Sequence, residues 1–146
     1  MAIRVNESMR GMMARQPGEK KAAVGKGRIA LSTGVTSSGK GDEKAWGKRG
    51  DWCDYSGPVD GRTVGIAIFD HPSNPRHPTS WHVREYGLFA ANPFGLHDFE
   101  KQPAGAGNLT IPAGKSVTFK YRFYLHEGDE VAGKVAERYR DYVSGK

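Results

Sequence analysis

Between Lys115 and His126 the side chains alternate without a break. Val117, Phe119, Tyr121, Phe123 and Leu125 face one way; Thr118, Lys120, Arg122, Tyr124 and His126 face the other. A period of two belongs to a β-strand, whose successive side chains point to opposite faces of a sheet. One face is apolar and the other polar, so the segment is expected in an antiparallel sheet with one wet side. Ile111-Pro112-Ala113-Gly114 supplies the turn from which it starts.

The same signature recurs upstream. Asp60-Gly61 is a hairpin signal between Trp52–Tyr55 and Arg62–Phe69. In the second of these stretches Val64, Ile66 and Ile68 alternate with Gly65 and Ala67, so both faces are small or apolar. That places it centrally in a sheet, with another backbone close over Gly65. Trp81–Ala91 is read as one further strand with His82, Arg84, Tyr86 and Leu88 on one face, and shorter strands are expected at Ile3–Val5, Gly27–Ser32 and Asn108–Ile111. One helix is expected, Glu130–Val143, with Asp129 as its cap and Val131, Val135 and Tyr139 at helical spacing. Gly133 inside it costs about 1 kcal/mol relative to alanine, so this helix needs a sheet to dock on. The expected fold class is therefore mainly β, an antiparallel β-sandwich closed by one C-terminal α-helix.

At 146 residues the chain has room for one core, and 1–146 reads as a single domain. No apolar run reaches the length of about 18 residues that a membrane-spanning helix requires. Cys53 is the only cysteine, which excludes an intrachain disulfide. The net charge of +6 invites a nucleic-acid reading, but its distribution argues against one. Up to Arg49 there are eleven Lys and Arg against four Asp and Glu; beyond it, eleven against twelve. The excess sits in Gln16–Lys48, of which residues 16–44 read as a basic, Gly/Lys-rich, solvated loop. No nucleic-acid partner is expected. Arg4, Glu7 and Arg10 interrupt any signal-peptide core, so this chain shows no export signal, and its compartment stays open.

The chemistry concentrates in two loops. Asp70 to His82 carries prolines at positions 72, 75 and 78, which fix φ and stiffen the segment. A stiff loop on a sheet scaffold is a usual place for a binding site. His71, Asn74, Arg76, His77, Trp81 and His82 fall here, Arg84 lies just beyond, and Asn92 and His97 fall in the second polar-aromatic loop, Asn92–Asp98. Aromatic faces that stack on a pyranose, beside Asn, Arg and His that divide its hydroxyls, suit sugar recognition. Trp81 is the expected stacking platform. His71, Asn74, Arg76, Arg84, Asn92 and His97 are the expected substrate contacts, and His77 and His82 the candidates for proton transfer. Five histidines with Asp70 and Asp98 also allow a metal-site reading, but their spacing matches no local metal motif, and no metal ligand or cofactor is assigned. His126 reads equally well as a surface residue.

Several long runs carry a family resemblance: Trp46–Gly57, Val64–Pro72, Asn74–Pro78, Trp81–Arg84, Tyr86–Gly95 and Phe123–Asp129. Together they resemble the bacterial PmoA-like family, labelled methane oxygenase PmoA, a domain of unknown function. Members are about twice as long. The resemblance therefore implies that this is a C-terminal half, missing strands that precede Ile3, of a protein whose full-length form could be exported. It also implies a sandwich like the large ones of sugar mutarotases, in bacteria rich in polysaccharide-degradation genes. No catalytic residues transfer with it. Three readings stand: a carbohydrate-binding or carbohydrate-active protein with a glycan or other small-molecule ligand, a metal-dependent oxidoreductase as the label suggests, and a non-catalytic interaction domain.

Overall fold

A computed structural model describes residues 1–21, 23–39 and 42–146, with Asp42 described by its backbone alone. Among these residues eight strands form two antiparallel sheets: β1 (Ala2–Arg4), β2 (Arg28–Leu31), β3 (Thr36–Ser38), β4 (Trp52–Val59), β5 (Arg62–Asp70), β6 (Trp81–Val83), β7 (Leu88–Ala91) and β8 (Tyr121–Glu127). Two α-helices follow the later strands, the short α1 (Leu96–Glu100) and the C-terminal α2 (Val135–Val143). The larger sheet has the order β3-β2-β4-β5-β8 and the smaller β1-β7-β6.

The alternation within each strand decides what lies between the sheets. Ile29, Leu31, Cys53, Tyr55 and Ile68 of the large sheet meet Trp81, Val83, Phe89 and Ala91 of the small one. Each large side chain sealed there contributes roughly 2 kcal/mol of transfer free energy. The buried Tyr55 hydroxyl donates to the Glu85 carbonyl at 2.9 Å, so its polar end is satisfied. On the opposite face of the large sheet Ala30, Trp52, Ala67 and Phe69 receive Val135 and Tyr139 of α2. The molecule is thus three layers, helix on sheet on sheet, and mainly β as the sequence pattern predicts. No described helix is long and apolar enough to cross a membrane.

The Asp60-Gly61 hairpin forms as expected. Both residues have positive φ, 49° and 79°, the geometry whose twist matches flanking strands and which glycine accepts freely. Other expectations need correction. Trp81–Ala91 is not one strand but the β6–β7 hairpin, closed by hydrogen bonds from Gly87 N to Arg84 O and from Arg84 N to Leu88 O. Asn108–Ile111 forms no strand, and residues 115–120 lack a strand partner, so the long alternating segment pairs only over β8. The 16–44 segment is no plain loop: it contains β2 and β3, while residues 22, 40 and 41 lie outside the described residues.

The C-terminal helix starts later than its apolar spacing suggests. Lys134 adopts a left-handed φ of 52°, so 128–134 forms a separate turn and Val131 is left exposed. Asp129 caps that turn, its Oδ1 accepting from the Val131 and Ala132 N–H groups, which holds its carboxyl below the usual range. The neighbour over Gly65 is the His126 ring rather than a backbone: a Cβ at Gly65 would overlap the imidazole. His126 is therefore not a surface residue.

Candidate functional site

His82 lies between Trp81 and Val83 on β6. Because those two point into the core, His82 points to the outer side of the small sheet. There it meets Phe99 of α1 and Trp46, which precedes the chain's approach to β4. The three rings are mutually edge-on: Trp46 to Phe99 at 5.0 Å and 89°, His82 to Phe99 at 5.7 Å and 74°, Trp46 to His82 at 6.3 Å and 79°. Glycines make room for this cluster. A Cβ at Gly47 would lie 2.9 Å from the Phe99 Cβ, and one at Gly95 would overlap the Phe99 ring. The Arg84 guanidinium sits 5.9 Å from the Trp46 ring centre.

These rings wall a cleft of about 450 Å³ whose remaining lining is polar: Asn92, His97, Asp98, Lys101 and Gln102. Its hydrogen-bonding capacity can be assigned atom by atom. His97 Nδ1 lies 2.7 Å from the Gln102 carbonyl, which can only accept, so Nδ1 carries the proton and Nε2 of the neutral ring is an acceptor. Asn92 Oδ1 accepts from the Phe94 N–H at 3.0 Å, which leaves its amide donors for other partners. Burial, and then the charge of Arg84, hold the His82 pKa below its ordinary value, against the opposing influence of Asp98. His82 is accordingly a neutral imidazole at pH 7. The Trp46 indole Nε1 is buried with no hydrogen-bond partner among the described residues.

The stiff loop after β5 plays a different part. Asp70, fully buried, accepts from Asn74 Nδ2 at 2.7 Å, the Thr79 N–H at 2.9 Å and His77 Nδ1 at 2.8 Å. The other ring nitrogen of His77 faces Asp51 at 3.4 Å, so this imidazole bridges two carboxylates. Asn74 also clamps residue Lys120, accepting its N–H at 2.6 Å and donating to its carbonyl at 2.7 Å. Arg76 donates to the carbonyls of Pro93, Gly107 and Asn108. His71 is tied to Ser73 at 2.7 Å and lies edge-on to Tyr142.

The expected site residues therefore divide. His82, Asn92 and His97 come together in the cleft, with Arg84 behind its Trp46 wall. His71, Asn74, Arg76 and His77 instead knit the loop to its neighbours, and none of them lines the cleft. Trp81 cannot be the stacking platform: its side chain is wholly buried and its Nε1 donates to the Gly50 carbonyl at 2.9 Å. Trp46, Phe99, Lys101 and Gln102 were missed as contacts, being distant from the proline-rich loop or set among ordinary helix-end residues. The aromatic-beside-glycine pairs Trp46-Gly47 and Phe94-Gly95 were the available signal. Among the described residues no group of three or more His, Cys, Asp or Glu is placed to hold a metal ion, so the five histidines do not converge.

A family model described as a family of unknown function (DUF6807) matches residues 1–140. No curated protein and no solved structure matches. This corrects the PmoA-like assignment: the matching family is one of unknown function, and nothing in the comparisons indicates a methane oxygenase. The metal-oxidoreductase expectation loses the support of that label.

Proposed function

Starting from a chain that belongs to the DUF6807 family, for which no function is known, we propose that the cleft between α1 and β6 binds a carbohydrate. The observation that carries this reading is the composition of the cleft wall: three clustered rings on one side, and donors and acceptors of both senses on the other. A sugar presents the matching surfaces, an apolar ring face and a rim of hydroxyls that each donate and accept. Asp98 and His97 Nε2 accept, while Lys101 and Asn92 donate. The one acidic and one basic lining residue offset each other, which favours a neutral sugar over an acidic one. Neutral His82 is the group in the cleft suited to take a proton, and Trp46 and Phe99 replace Trp81 as the apolar wall.

Isotope-edited NMR titration with a panel of neutral mono- and disaccharides tests the proposal. The expected result is a set of shifts confined to residues 46, 82, 92 and 97–102, lost in Trp46→Ala. A dispersed spectrum that no sugar in the panel perturbs overturns it.

A further inference from the structure

β8 ends the large sheet, and among the described residues no strand pairs with its outer side. The bonds at either end of its ladder fix which backbone groups are free. Gly128 N donates to Thr63 O, and His71 N to Lys120 O, and both pairs continue the β5–β8 register. Even-numbered residues of β8 therefore bond to β5, while Tyr121, Phe123 and Leu125 aim their N–H and C=O groups at the open edge. These same three residues point their side chains to the inner face, the one that the small sheet covers elsewhere. Leu125 is 73% exposed and Phe123 36%. The apolar strip continues beyond them, because Tyr121 stacks on Phe119 at 6.4 Å and Phe119 meets Phe94 edge-on at 5.8 Å.

Natural edges are usually blunted by inward charges, proline or a bulge, since an open edge recruits other strands. β8 has no charge on its inner face before Glu127. The sequence leading into and along it is also of one sign: residues 115–126 contain Lys115, Lys120 and Arg122 and no Asp or Glu. We propose that this edge accepts an extended strand of another polypeptide, apolar on its inner face and acidic on its outer face. A lipid surface would leave the free N–H and C=O groups of the edge unsatisfied, whereas a strand bonds them. A second copy of a chain carrying +6 would bring like charge to like charge.

The probe is a synthetic peptide of about eight alternating Val and Glu residues, the length of a typical strand. On titration into labelled protein, the amides of Tyr121, Phe123 and Leu125 should shift and exchange more slowly with solvent. Affinity should fall roughly tenfold or more in Leu125→Glu, a change at an exposed position, and should weaken with salt. A Val/Lys peptide should not bind. Methylating alternate backbone nitrogens should abolish binding in one of the two phases, since only one row of N–H groups reaches the edge. Equal binding by both methylated peptides overturns the proposal, as does an unperturbed β8 in a dispersed spectrum. Slow exchange of those three amides in peptide-free protein, rising with protein concentration, would assign the edge to a second copy instead. Shifts produced only by anionic vesicles would assign it to a membrane. Both results also overturn the proposal.

Discussion

His126 Nε2 lies 2.8 Å from Asp54 Oδ1, with the imidazole 2% exposed and the carboxylate wholly buried. Its other ring nitrogen faces the Glu127 carbonyl at 3.2 Å, and the ring is stacked on Tyr124 and held between Gly65 and Gly133. With acceptors on both sides, the imidazolium, which donates twice, fits this position better than the neutral ring, which donates once. Asp54 Oδ2 has no partner among the described residues. The pair joins β8 to β4 beneath the turn that leads into α2.

This arrangement makes stability fall as the solution becomes alkaline. Burial acts most strongly on both groups: it raises the Asp54 carboxyl, and it lowers His126, but the bond and charge of Asp54 outweigh it and leave the imidazole raised. A histidine raised above its unfolded value of about 6.5 contributes fully below that pH. The contribution is lost as pH rises through the folded pKa. Urea midpoints should therefore decline from pH 6 to pH 9. In Asp54→Asn the decline should flatten, with about 1–3 kcal/mol lost at pH 6.

Alanine at Gly65 or Gly133 should displace the His126 ring, because either Cβ would overlap it. Such overpacking costs roughly 1–3 kcal/mol, so both variants should melt lower. Each should also return the His126 ring resonances towards those of a solvated histidine, which NMR reads directly.

In the cleft, the lowered pKa of His82 has a stated cause and sign: burial first, then Arg84. Its ring resonances should titrate below pH 6.5, and Arg84→Gln should move that titration upward. Sugar binding that uses neutral His82 as an acceptor should weaken as pH falls through the same range.

Gly95→Ala should damage the cleft without touching any polar contact in it, since the new methyl would overlap the Phe99 ring. The expected result is a loss of roughly tenfold in sugar affinity, measured by NMR titration, because the ring wall shifts. An unchanged affinity would remove Phe99 from the wall.

Asp70→Ala should strand three donors at once, those of Asn74, Thr79 and His77. Removing one member of a buried charged network costs roughly 3–5 kcal/mol. Hydrogen exchange should show residues 71–79 opening before the rest of the sheet.

Local rules carried the sequence reading a long way, and their failures have physical reasons. Period-two patterning located β4, β5 and β8, and the Asp60-Gly61 turn joined the first two, because those signals reside in neighbouring residues. Which face of β8 is covered does not reside there. At Tyr124 and His126 the polar face is the covered one, since the turn at 128–134 closes over them, and Asp54 meets the imidazole from 72 positions away. The apolar face is open at Phe123 and Leu125. In the same way His82, Asn92 and His97 could be nominated one by one, but their convergence with Trp46 and Phe99 depends on how α1 lands on the small sheet.

Cys53 stands on β4 with its side chain wholly enclosed between the sheets. Burial, reinforced by the neighbouring Asp54 charge, pushes its thiol well above the ordinary range. Since the thiolate is the reactive form, the folded molecule withholds it both sterically and chemically. The chain thus carries a single internal clock: the rate at which an aromatic disulfide reagent labels Cys53 counts separations of the two sheets and ignores fluctuations of the surface.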